Sequence, residues 1–311
     1  MNSKKPIKKL NQYLSTCENS YNECIDVIDH EETINGVQAN LRFHLIKFDG
    51  NGQPMIGALA ETLYNHIIDY CISAKNRPEK FTAQESSKFS KQARKLFRHP
   101  KRDKSNPDTT GEAGEILLYF LLESVLKAPQ VVAKMDLKTN HSMESNGSDG
   151  VHMNWNKEKG LVDVFFGEAK LHQSYGGAIK DALKSINEFH DKNIIEHEFW
   201  MVTKHFKYSD SLTQEAVVNL FESGKPSSGV RINHACLIGY NSKNYKKLPT
   251  GSSDDVTKYF KEEYLKHTKK ITKSIQKNFD KFDKKHLNFE VFFIPFPTVQ
   301  EFRDAFNKAL D

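Results

Sequence analysis

Residues 161–171 read LVDVFFGEAKL, and the fold turns on this stretch. An apolar run broken once by Asp163 and closed by Gly167 predicts a strand. Side chains alternate along a strand, so Glu168 and Lys170 share one face with Val164 and Phe166 before them. An acid and an ammonium at the end of so apolar a run either pair with each other or serve a ligand, because burying either alone is costly. The ion pair is the simpler account, since an E-x-K triplet arises readily in a chain this rich in lysine.

Just upstream, Gly147-Ser148-Asp149-Gly150 opens a second strand-like run, DGVHMNW (149–155), and NKEKG (156–160) supplies a turn. If the two runs pair as a hairpin, their far ends meet and Asp149 lies close to Glu168. An aspartate flanked by glycine is also a common turn residue and needs no ligand. Two converging carboxylates and the backbone carbonyl of Ala169 are the hard oxygen donors that Mg²⁺ or Mn²⁺ prefers. Further back, GEAGEILLYFLLESVLK (111–127) has a helical period, with Ile116, Leu117, Phe120 and Leu121 facing a core. Glu112 and Glu115 share a face of that helix. An acid in the first turn suits the helix dipole, which accounts for Glu112, whereas Glu115 lies deeper, beside the apolar stripe.

Around this centre the pattern is that of an α/β protein. A strand is predicted at 37–48 (VQANLRFHLIKF), an apolar helix at 55–73, and a helix from the capping box Thr82/Glu85 to about 98. VVAKMDL (131–137), FWMVTK (199–204), ACLIGY (235–240) and FEVFFIPF (289–296) read as strands. Helices are expected at 177–190, around 212–221, from Asp254 to about 282, and at the C-terminus. The first 35 residues carry too weak a period to assign. HPKRDKSNPD (99–108) reads as a loop or linker, which divides the chain into an N-terminal α/β region, 1–104, and a second domain, 105–311.

A helix bearing an acid, a strand pair bearing Asp and E-x-K, and a further helix make the order of a PD-(D/E)XK nuclease core. The run from GEAGEILLYFLLE through SDGVH to VDVFFGEAKLHQSYGGAI resembles the HamA family, nuclease subunits of Hachiman anti-phage defence systems. The motif likeness spans 111–179, and a weaker likeness in element order covers most of the chain. It implies a restriction-endonuclease-like core, a mixed central sheet flanked by helices, with an N-terminal α/β extension. It further implies Asp149 and Glu168 as metal ligands, Lys170 as the catalytic lysine, Glu115 as an auxiliary helix acid, and a HamB-like DNA helicase as partner. Ser148 stands where the proline of the motif's name would be. On this reading the chain is a metal-dependent nuclease of DNA. A catalytically silent subunit that binds nucleic acid or restrains its partner is the competing reading.

Composition agrees with a soluble protein: of 311 residues, 27% are charged and 38% hydrophobic. MNSKKPIKKLNQYL is basic but no apolar run follows, and no stretch is long enough to span a bilayer, so a cytoplasmic location without membrane contact is expected. Four cysteines without a C-x-x-C pair point to neither a disulfide framework nor a zinc site. The net charge of +5 is mild, but Lys88, Lys91, Arg94, Lys95, Arg98, Lys101, Arg102 and Lys104 cluster in one stretch, and phosphates are their natural counter-charge. His172 and Gln173, just past the motif, are further candidates for contact with phosphate or water, or else are exposed loop positions. The lysines of 258–277 lie opposite an apolar stripe and read as a solvated helix face.

Overall fold

The computed structural model describes residues 7–97, 111–137, 147–221 and 227–311. Its strands are β1 (Ile25–Ile28), β2 (Gln38–Ile46), β3 (Gln130–Val132), β4 (Gly150–Asn156), β5 (Leu161–His172), β6 (Val230–Asn241) and β7 (Asn288–Phe296). They form one mixed sheet in the order β1-β2-β7-β6-β5-β4-β3. The helices are α1 (Glu18–Cys24), α2 (Ile56–Asn65), α3 (Ile67–Cys71), α4 (Ala83–Phe97), α5 (Glu112–Ser124), α6 (Tyr175–Asp191), α7 (Ile194–Lys204), α8 (Ser211–Val218), α9 (Ser253–Phe279) and α10 (Val299–Leu310). No helix among the described residues is long and apolar enough to cross a membrane.

The chain forms two compact units: one from Met1–Cys17, Asn65–Gly167 and Glu188–Asn233, the other from Glu18–Tyr64, Glu168–Asn187 and His234–Asp311. In the first, β4 and β5 make the expected antiparallel hairpin, in register from Gly150 opposite Gly167 to Asn156 opposite Leu161. The Asn156 side chain accepts the Lys159 N–H, and Gly160 takes a positive φ of 64° to close the turn. The buried faces of these strands (Val151, Met153, Val162, Val164, Phe166) pack with Phe189, Phe199, Val202 and Phe206. Each such side chain contributes about 1.5–3 kcal/mol when removed from water. Helix α5 is buried on every side from Ile116 to Ser124, which is why its sequence is apolar nearly all round.

In the second unit β2 runs parallel to β7 and antiparallel to β1, and Phe43 stacks on Phe293 with ring centroids 4.9 Å apart. Helix α9 starts on a capping box between Ser252 and Asp255 and buries Val256, Phe260, Tyr264, Ile271 and Ile275. Of its lysines, Lys261 pairs with Asp26 at 2.6 Å and Lys266 with Glu263 at 2.5 Å, in keeping with a solvated face.

Three expectations need correction. FWMVTK lies in α7, not in a strand: the run extends back to Ile194, and Glu198, Phe199 and Val202 are buried at helical spacing. A six-residue apolar window carries no period of its own that separates the two. VVAKMDL makes only the end of the three-residue β3 before a 3₁₀ turn at Lys134–Leu137. The helix expected at 55–73 breaks at His66 into α2 and α3, although Leu59, Leu63, Ile67 and Tyr70 are all buried as its stripe required. Within the unassigned N-terminal stretch, α1 and β1 are formed, the strand specified by pairing with β2 more than by its own four residues.

Candidate active site

Burial along β5 changes at its last third: Val162–Gly167 are buried, and Glu168, Ala169 and Lys170 are half-buried. Glu168 Oε1 and Lys170 Nζ are 2.7 Å apart, with side chains 12% and 26% exposed. The same-face geometry deduced from the spacing is therefore realised. A partly exposed pair of this kind stabilises a fold by about 1 kcal/mol or less, so stability alone is a weak reason for two charges here. Beyond Lys170, His172 faces Asp181 at 3.5 Å and Gln173 is exposed. A cavity of about 500 Å³ opens there, lined by Leu171, His172, Gln173, Asn241, Gln300 and Arg303 among others.

The acids of the first unit converge separately. The Asp149 N–H donates to the Gly167 carbonyl at 2.8 Å, extending the hairpin ladder one residue past Gly150. The residue after Gly167 in the sequence is Glu168. A Cβ on Gly167 would meet Leu118 of α5 at 3.0 Å and the Gly150 nitrogen at 3.4 Å, so glycine lets the helix and both strands approach closely here. Glu115, one turn before Leu118, accepts the Tyr70 hydroxyl at 3.1 Å. Burial pushes the Tyr70 phenol well above its ordinary range, and the charges of Glu115, Cys71 and Asp149 push it further. Tyr70 thus feels both candidate acids.

The outcome for the basic candidates is narrower. Arg94 and Lys95 occupy the last turn of α4, half-buried and exposed respectively. Arg98, Lys101, Arg102 and Lys104 lie outside the described residues. Sequence reasoning missed three residues around the acids: Tyr70, read only as one member of an apolar stripe, Lys134, in a segment read as a strand, and Glu198, one position before another such segment. A charged residue inside an otherwise apolar run was the available signal for Lys134.

Among the described residues no group of three or more His, Cys, Asp or Glu side chains is gathered to hold a metal ion.

The HamA family model matches residues 19–310, nearly the whole chain. The chain belongs to the HamA family. Membership makes it a component of Hachiman defence. The span matched by the HamA model takes in Tyr70, Glu115, Lys134, Asp149, Glu168, Lys170 and Glu198, so the candidate site lies wholly inside the family's territory. No individually curated protein matches the chain.

Proposed function

We propose that this HamA-family chain is a metal-dependent nuclease of the PD-(D/E)XK type, hydrolysing phosphodiester bonds of DNA beside a HamB-like helicase. The observation that carries the reading is the end of β5, where Glu168 and Lys170 meet at 2.7 Å on one strand face, with Asp149 held to the adjoining Gly167. Asp149, Glu168 and the Ala169 carbonyl would hold Mg²⁺ or Mn²⁺, with Glu115 as an auxiliary acid. When bound, the ion supplies Lewis acidity at the scissile phosphate. Lys170 orients the attacking water and offsets the negative charge that grows on the phosphate in the transition state. Glu168 keeps the ammonium of Lys170 at the strand end, where it meets that charge. Arg94, Lys95, Arg98, Lys101 and Arg102 supply backbone phosphate contacts, which bind without reading sequence, and Gln173 is a polar contact just beyond the reacting centre.

The Glu168–Lys170 contact also supports a second reading, a satisfied ion pair in a silent subunit that only binds nucleic acid. Incubating the purified chain with supercoiled plasmid and Mg²⁺ or Mn²⁺, with and without chelator, separates the two. The nuclease reading requires chelator-sensitive nicking or linearisation that Glu168→Ala abolishes. Intact plasmid under all conditions, with the helicase present and ATP supplied, would support the silent subunit.

A further inference from the structure

We propose that Glu198 and Lys134 form a buried clamp that positions Asp149, and that Ser148 replaces the motif's proline because the clamp needs a backbone N–H at that position. The inference rests on the reading of Asp149 as a metal ligand.

Glu198, on α7, is fully buried, and Lys134 is 9% exposed. Glu198 Oε1 pairs with Lys134 Nζ, accepts the Ser148 N–H at 2.9 Å and accepts the Ser148 hydroxyl at 3.3 Å. Lys134 Nζ in turn donates to the Ser148 carbonyl at 2.6 Å and to its Oγ at 3.2 Å. Both main-chain groups of one residue are therefore gripped by the two halves of one ion pair. The next amide, that of Asp149, is fixed by the Gly167 carbonyl. With two consecutive amides held, the Asp149 carboxylate retains only its own side-chain torsions.

Two features show how closely the chain is drawn onto the clamp. Gly147 has φ +136°, and a Cβ there would collide with Glu198 Oε1, so a residue other than glycine is excluded on both counts. Glu198 Oε2 is buried with no hydrogen-bond partner among the described residues, so this carboxylate is oriented toward Ser148 at the expense of its own solvation. Buried ion pairs are poor contributors to stability compared with apolar residues of the same volume. What this pair does achieve is a fixed geometry, one residue from a proposed ligand. Proline has no N–H to give Glu198. Loss of an outer-shell partner of a metal ligand typically weakens metal binding by about 10–100-fold.

The test is calorimetric titration of the full-length chain with Mn²⁺, beside circular dichroism and thermal melting, for wild type, Ser148→Ala, Ser148→Pro and Asp149→Asn. Ser148→Ala keeps the N–H and is expected to bind within about threefold of wild type, whereas Ser148→Pro is expected to bind at least about tenfold more weakly while remaining folded. If Ser148→Pro does not fold, the double variant Lys134→Met/Glu198→Leu replaces the clamp with apolar volume and is expected to show the same tenfold loss. A folded Ser148→Pro, or failing that the double variant, binding Mn²⁺ like wild type while Asp149→Asn binds weakly would overturn the clamp alone. Wild-type Mn²⁺ binding by Asp149→Asn would overturn the ligand reading on which the clamp depends.

Discussion

Lys207 is fully buried, with the rings of Tyr119 and Tyr208 centred 5.7 and 5.8 Å from its Nζ. The ammonium donates to the Asp69 carbonyl at 2.5 Å and to Gln130 Oε1 at 2.9 Å. Burial lowers its pKa from 10.5 to about 8, and Arg77 adds to the fall, while Glu123, Asp69 and Cys71 oppose it. In the unfolded chain the group keeps its ordinary value of 10.5, so between these two pH values the unfolded state holds more protons than the native state. Stability from this group therefore rises with pH across that window. At about 1.4 kcal/mol per pKa unit the gain is about 3 kcal/mol overall, and about 2 kcal/mol between pH ~7.5 and ~9.5. Lys207→Met has no proton to lose. The buried tyrosines and Cys24, whose thiol is also pushed up by burial, titrate in both proteins and cancel in the difference. Urea unfolding followed by tryptophan fluorescence measures it, because Trp155 and Trp200, the two tryptophans of the chain, lie in the same unit as Lys207. Wild type is expected to gain about 2 kcal/mol on the variant over that range. Parallel pH profiles for the two proteins would refute the argument.

Three further outcomes are expected. Glu168→Ala and Asp149→Asn each lose Mg²⁺ or Mn²⁺ affinity together with cleavage while keeping the wild-type fold, as calorimetry and circular dichroism would report; unchanged affinity in either removes that residue from the ligand set. Changing Arg94, Lys95 and Arg98 to Ala together flattens the dependence of DNA affinity on salt by up to about 0.9 in log–log slope for each phosphate no longer neutralised, and an unchanged slope takes this stretch off the binding surface. Purification from the native host brings down an ATP-dependent helicase with the chain, and its absence under gentle salt conditions counts against the partnership.

Much of the frame around the site was legible because it depends on local pattern. The hairpin of 150–167 followed from two apolar runs and a turn, and the pairing of Glu168 with Lys170 from the two-residue period of a strand. The capping box at Thr82 and Glu85 is also present, with reciprocal hydrogen bonds of 2.9 and 3.2 Å. What stayed hidden depends on partners remote in sequence. α7 could not be told from a strand by FWMVTK alone, and so Glu198, which reaches Ser148 across 50 positions, was invisible. Tyr70 likewise meets Glu115 over 45 positions, and nothing in an apolar stripe marks which member carries a polar tip into a site. The substitution of Ser148 for proline was visible as a departure, but its reason lies in a hydrogen bond that only the folded chain makes.

On the proposed function, the charges at the end of β5 perform chemistry and are not merely paired. Single-turnover plasmid cleavage by Lys170→Ala, at a metal concentration shown by titration to saturate both proteins, tests it most directly. Retained metal binding is expected, with cleavage slower by a factor on the order of 10² or more, since only water orientation and charge compensation are removed. Cleavage by Lys170→Ala at the wild-type rate would mean that Glu168 and Lys170 are a surface ion pair, and the nuclease assignment of this strand would be wrong.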